Sequence, residues 1–184
     1  MNTSVAFVAQ VSAILMGFFT RVVFTRMLSE GYVGINGLFT DILNILSLSE
    51  LGVGTAITYA LYVPIAKGDI KKQQILMRMF RTFYRMTALF VMAAGLCLIP
   101  FLDILMKDRP DVDHLVLIYC LYLLNSVVSY LLIYKKTLID AHQMNYITVL
   151  YHNGFLVLQD ICQIIILITT KNFVLFLSVA VVCT

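Results

Sequence analysis

Long apolar runs dominate the chain, and only short links separate them. The runs are continuous rather than alternating, and several approach the roughly 20 apolar residues that cross a bilayer core about 30 Å thick. A membrane β-strand needs only about ten residues of alternating hydropathy, so the predicted elements are helices. Six segments emerge: residues 4–24, 35–63, 87–106, 115–134, 147–168 and 173–184. The sixth is still apolar at Thr184, and a helix of its length rises only about 18 Å. It reads as a span cut off by the end of the chain, with a re-entrant helix as the alternative. The expected fold is all-α, a polytopic transmembrane helix bundle of five full spans plus a truncated sixth.

Composition agrees with a lipid solvent. The chain of 184 residues is 61% hydrophobic and 12% charged, with mean hydropathy +0.93. Soluble domains lie near 45–50% apolar and 25% charged. A soluble helical protein would also need a polar face on most helices, and long stretches here have none. No basic n-region precedes the first run, so residues 4–24 are expected to be an uncleaved membrane segment rather than a signal peptide. Cys97, Cys120, Cys162 and Cys183 are scattered through apolar runs without metal-ligand or disulfide spacing, and read as small buried hydrophobes.

Charge sets the expected orientation. The net charge of +3 is too small to argue for nucleic acid as a partner. Lys67, Lys71, Lys72, Arg78, Arg81 and Arg85 follow the second segment, and Lys135 and Lys136 follow the fourth. The opposite links carry Arg21, Arg26, Lys107, Arg109 and Lys171. Cytoplasmic links are enriched in Lys and Arg, so the two dense clusters and the N-terminus are placed in the cytoplasm. Residues 70–86 form a basic amphipathic link. Lys71, Arg78, Arg81 and Arg85 share one helical face, while Leu76, Phe80 and Phe83 share another. That pattern suits either a helix lying among anionic headgroups or a plain extension of the third helix.

Polar residues inside the spans are the candidate chemistry, because a charge at mid-bilayer costs a few kcal/mol. In the first segment Thr3, Gln10, Gly17 and Arg21 align within about 40° at 100° per residue, while Arg26 points elsewhere. In the second, Asp41, Asn44, Thr55, Tyr59 and Tyr62 share a face. Glu50 lies off it beside Gly52 and Gly54, two glycines that allow close packing or a bend. The fourth segment clusters Tyr122, Ser126 and Ser129. The fifth carries His152, Asn153, Gln159, Asp160 and Gln163. Ser, Thr, Asn and Tyr at such places often only bond a neighbouring helix or anchor an interface. Arg21, Glu50 and Asp160 are charged, and for them a cavity or an ion pair is the expected setting. His114, His142 and His152 lack ligand-spaced partners, no phosphate loop is present, and no catalytic group, cofactor or metal is expected.

Two stretches carry a family resemblance. GYVGINGLFTDILNILSLSELGVGTAITYALYVPIAKGD, Gly31 to Asp69, and SYLLIYKKTLIDAHQMNYI, Ser129 to Ile147, resemble bacterial polysaccharide flippases of the multidrug/oligosaccharidyl-lipid/polysaccharide exporter superfamily. The resemblance implies a two-lobe exporter of which this chain is the N-terminal lobe, with the C-terminal lobe missing. It implies movement of undecaprenyl-diphosphate-linked sugar units across the inner membrane by alternating access. It makes Arg21, then Arg26, the candidates for the diphosphate, with Gln10, Asp160 and Gln163 on the cavity wall. Glu50 and Asp41 become candidates for ion coupling or gating. Polysaccharide assembly proteins and membrane lipid are the further partners it implies. Two other readings stay open: a multidrug/cation antiporter of the same superfamily, and a non-transporting remnant or scaffold.

Overall fold

The computed structural model describes residues 2–47, 53–102, 112 and 114–183. Its described elements are helical: α1 (Asn2–Met27), α2 (Glu30–Ser47), α3 (Val53–Ala66), α4 (Ile70–Leu98), α5 (Leu115–Ala141), α6 (Asn145–Thr170) and α7 (Phe173–Cys183). A single 3-10 turn, Ile99–Phe101, extends α4. No strand occurs among the described residues.

Four of these helices are long and apolar enough to cross a membrane: Phe7–Met27, Ile70–Phe101, Leu115–Ala141 and Tyr146–Thr170. Only 17% to 28% of each spanning window is buried within the chain. Large apolar side chains such as Phe18 and Leu89, each 64% exposed, therefore face outward along the spans. A water-soluble bundle does not leave apolar surface of that extent uncovered, whereas hydrocarbon solvates it. Helices also satisfy their own backbone groups, as lipid requires. The chain is a membrane protein.

Two element boundaries differ from the hydropathy reading. The basic link 70–86 and the segment after it form one helix, α4, which begins at Ile70 rather than near residue 87. Of the two arrangements open for this link, the backbone takes the continuous one. Its start is fixed locally: Gly68 reverses the chain at φ +66, and Asp69 accepts a bond from the Lys72 N–H (3.0 Å), a standard N-cap. Phe80, Tyr84, Ala88, Val91 and Gly95 are then buried at helical spacing, so one apolar stripe crosses the expected boundary at residue 86. Lys71, Arg78, Arg81 and Arg85 lie on the exposed side. The second apolar segment comprises α2 and α3, and residues 48–52 between them lie outside the described residues.

α5 is the hub. Ile118 and Tyr119 are fully buried, as are Phe39 of α2 and Leu61 of α3. Phe39 packs edge-on to Tyr119 and Tyr122 at 5.1 and 5.8 Å. Tyr119 also donates its hydroxyl to the Gly95 carbonyl of α4 at 2.9 Å. α1 instead packs most extensively on α6. At the far end of α1, Phe24, Tyr32, Phe173 and Phe176 form an aromatic cluster with centroids 5.2–5.9 Å apart.

Candidate functional site

The seam between α1 and α6 collects most of the polar candidates. Asn153, buried in α6, donates its amide to the Gln10 side chain of α1 at 2.9 Å. One layer further, Asp160 stands near Thr20, whose hydroxyl donates to the Met16 carbonyl at 3.0 Å, and Asp160 Oδ2 lies 4.0 Å from where a Gly17 Cβ would stand. Gln10 with Asn153 and Gly17 with Asp160 share an offset of 143 residues, so α1 and α6 run in the same direction. Gln10, Ala13, Gly17, Thr20 and Phe24 alternate steps of three and four, the spacing of a helix–helix seam. Asn153, Asp160, Gln163 and Leu167 follow the same rhythm on α6.

This register separates residues that the sequence placed on one stripe. Gln10 and Gly17 face the seam, and Gln10 is taken up by Asn153. Arg21, one position past Thr20, is exposed. Its guanidinium lies over the Phe24 ring, 5.6 Å from the centroid, a cation–π arrangement. It is also within electrostatic range of Tyr122 on α5. Gln163 is buried and donates to the Phe176 carbonyl at 3.1 Å, which ties α6 to α7. Arg26 is exposed in the last turn of α1, and Asp41 is exposed on α2. A Cβ at Gly54 would stand 3.4 Å from the Tyr84 hydroxyl, an ordinary contact with the tip of one side chain. Glu50 and Gly52 lie outside the described residues.

A second polar region lies around Tyr122 of α5. A groove of about 400 Å³ runs between α2 and α5, with Thr40, Asn44, Tyr122, Asn125, Ser126 and Ser129 on its walls. At its border the Tyr122 hydroxyl bonds the Asn36 side chain. The Asn36 carbonyl also accepts from Thr40 (2.6 Å). Asn36 and Thr20 were missed in the sequence reading. A signal for Asn36 was available: Asn36, Thr40 and Asn44 recur every four residues, one polar row on a helix. Thr20 becomes significant only once α6 is known to lie against α1.

Chemically, these two regions offer hydrogen-bond donors, one cation and one carboxylate, without a nucleophile–base pair. Among the described residues no group of three His, Cys, Asp or Glu side chains could hold a metal ion. The four cysteines are free thiols. No family model matches the chain, and neither does any curated protein or solved structure.

Proposed function

We propose that the chain is the N-terminal lobe of a flippase in the bacterial inner membrane, with its N-terminus in the cytoplasm. Its cargo is an undecaprenyl-diphosphate-linked oligosaccharide destined for cell-surface polysaccharide, moved by alternating access together with a second lobe. The observation that carries this reading is Arg21, a cation within a spanning helix of a chain whose α2–α5 groove is lined by hydroxyls and amides. The residue lies within a spanning helix and makes no ion pair among the described residues. An unpaired cation at that depth is costly, and an anionic headgroup would relieve the cost. The sugar portion needs the hydroxyls and amides that line the groove. The span count also fits. Parallel α1 and α6 suit a chain that reverses at each link if α2 and α3 together make one traverse, which gives five traverses before α7.

Asp160 favours a second reading. A carboxylate in a span, without an ion pair among the described residues, suits a cation antiporter of the same superfamily.

One vesicle assay tests both. Proteoliposomes that hold the chain together with its second lobe, loaded with a fluorescent undecaprenyl-diphosphate oligosaccharide, report its transbilayer movement through an impermeant quencher. Arg21→Ala is expected to insert normally and slow movement about tenfold or more, the worth of a lost hydrogen-bonded charge. Arg21→Lys should retain part of the rate. An unchanged Arg21→Ala rate removes this reading's main support. Movement of a cationic dye instead of the anionic lipid favours the antiporter. Movement of neither favours a scaffold in a polysaccharide assembly complex.

A further inference from the structure

The exposed side of α4 changes character along one line. Arg78, Arg81, Arg85, Leu89, Met92 and Leu96 follow steps of three and four, so they form a single stripe on the helix. All six are exposed. Phe80, Tyr84, Ala88, Val91 and Gly95, on an adjoining face, are buried. α4 packs on α5 and α3, while α7 packs on α5 and α6. The stripe therefore switches from guanidinium to hydrocarbon between Arg85 and Leu89, in the middle of one unbroken helix.

Two helices, counted separately, give the depth of that switch. α4 with its 3-10 turn runs 32 residues from Ile70 to Phe101, about 48 Å, and outreaches a core of about 30 Å. Gly95 of α4 meets Tyr119 and Leu123 of α5. It stands six residues before Phe101, and they stand four and eight residues after Leu115, so Phe101 and Leu115 are level at one edge of the core. Twenty residues separate Arg81 from Phe101, and twenty separate Lys135 from Leu115, each a rise of about 30 Å. Arg81 and Lys135 thus both stand at the other edge. Arg78 lies among the headgroups there. Arg85 lies one turn inside, from where a long side chain extends its charge outward.

The cations have no counterpart within the helix. No acidic residue occurs between Ile70 and Leu98, and Asp69 precedes Arg81 by about 18 Å of helix. Arg78, Arg81 and Arg85 make no side-chain hydrogen bond or ion pair among the described residues. A guanidinium fork matches the oxygens of a phosphate, and the exposed apolar side chains below it match an acyl chain. We propose that this stripe holds an anionic membrane phospholipid, its phosphate against Arg78, Arg81 and Arg85 and an acyl chain along Leu89, Met92 and Leu96. A soluble anion or an acidic protein would have no use for the apolar half. The site depends neither on the transport reading nor on which leaflet the arginines face.

Photolabelling in vesicles tests it. The probes are phosphatidylglycerol and phosphatidylcholine carrying the same diazirine on an acyl chain, each diluted into phosphatidylcholine with the reconstituted protein. Peptide mapping reads label on residues 86–98. The phosphatidylglycerol probe is expected to label this segment about fivefold more than the neutral probe, the worth of one basic residue facing an anionic lipid. That preference is measured on the unaltered protein and needs no variant. Arg81→Gln combined with Arg85→Gln should remove most of it, while Lys71→Gln, about 15 Å farther out along the helix, should leave it intact. Equal labelling by the two probes overturns the proposal, as does a preference that survives the loss of both arginines or disappears with Lys71→Gln. A preference abolished by inorganic phosphate marks a free-anion site and overturns the lipid assignment.

Discussion

The α4–α5 and α1–α6 seams hold their helices together by different means. At α4–α5 the contact is one of shape. Gly95 is buried, and the Leu123 side chain occupies the space a Cβ would take, with Cδ2 at 2.9 Å and Cγ at 3.2 Å from it. Tyr119 then bonds the Gly95 carbonyl. At α1–α6 the contact is a polar one, the hydrogen bond from Asn153 to Gln10, with Asp160 standing near Thr20. There Gly17 has its nearest neighbour 4.0 Å away. In lipid no hydrophobic force draws helices together, so close packing and hydrogen bonds must do it. Close packing has one solution, because a core densely filled resists deformation. A polar pair can exchange partners with water or ligand at little cost. The α4–α5 seam thus suits a fixed frame, and the α1–α6 seam suits a joint that can slide or open.

The comparison breaks most visibly at Gly95. Gly95→Val forces Leu123 out of its place and separates Tyr119 from its carbonyl partner. Overpacking of this kind costs about 1–3 kcal/mol and occasionally more. Unfolding by SDS titration in mixed micelles should show a loss in that range. Leu123→Ala in the same chain should recover part of it, giving a coupling that distant sites lack. Equal losses in the single and double variants would mean that shape at Leu123 is not what holds the seam.

A smaller effect is expected on the polar side. Gln10→Leu and Asn153→Leu each remove half of one bond, and pairs of this type in membranes average about 0.6 kcal/mol, with about 1.7 kcal/mol at most. A double-mutant cycle in the same titration should return a coupling of that size. A coupling equal to the Gly95–Leu123 value would erase the distinction between the seams.

How much of this was legible follows the same division. The helical class and the positions of α1, α5 and α6 come from apolar runs of spanning length, a property each segment carries by itself. Hydropathy marks only residues 87–106 as an apolar segment, because Arg78, Arg81 and Arg85 lower the local average, and leaves open whether 70–86 extends that helix. The backbone responds instead to the cap at Asp69 and to the stripe from Phe80 to Gly95, which the basic residues do not interrupt. At the candidate site, the alignment of Gln10, Gly17 and Arg21 was readable from one helix. Their separation was not, since it depends on which helix faces α1 and in what register. Asp160 stood out by its charge alone, while its neighbour Thr20 had no signal until the 143-residue register was known.

Gly17→Ala is expected to have the smallest effect and makes the sharpest contrast with Gly95. Both glycines lie within spanning helices, and a sequence reading would treat them alike as close-packing positions. At Gly17 an added methyl meets Asp160 Oδ2 at ordinary contact distance and nothing closer. Alanine also favours a helix over glycine by about 1 kcal/mol, so the net change should lie between zero and a slight gain in SDS resistance. At Gly95 the same methyl has no room. A Gly17→Ala variant as destabilised as Gly95→Val would mean that α1 and α6 approach more closely than the 4.0 Å clearance allows, and that the α1–α6 seam is as rigid as its counterpart. A neutral result leaves the α1–α6 seam held by its polar contact, with enough slack for Asp160 to move without repacking the helices.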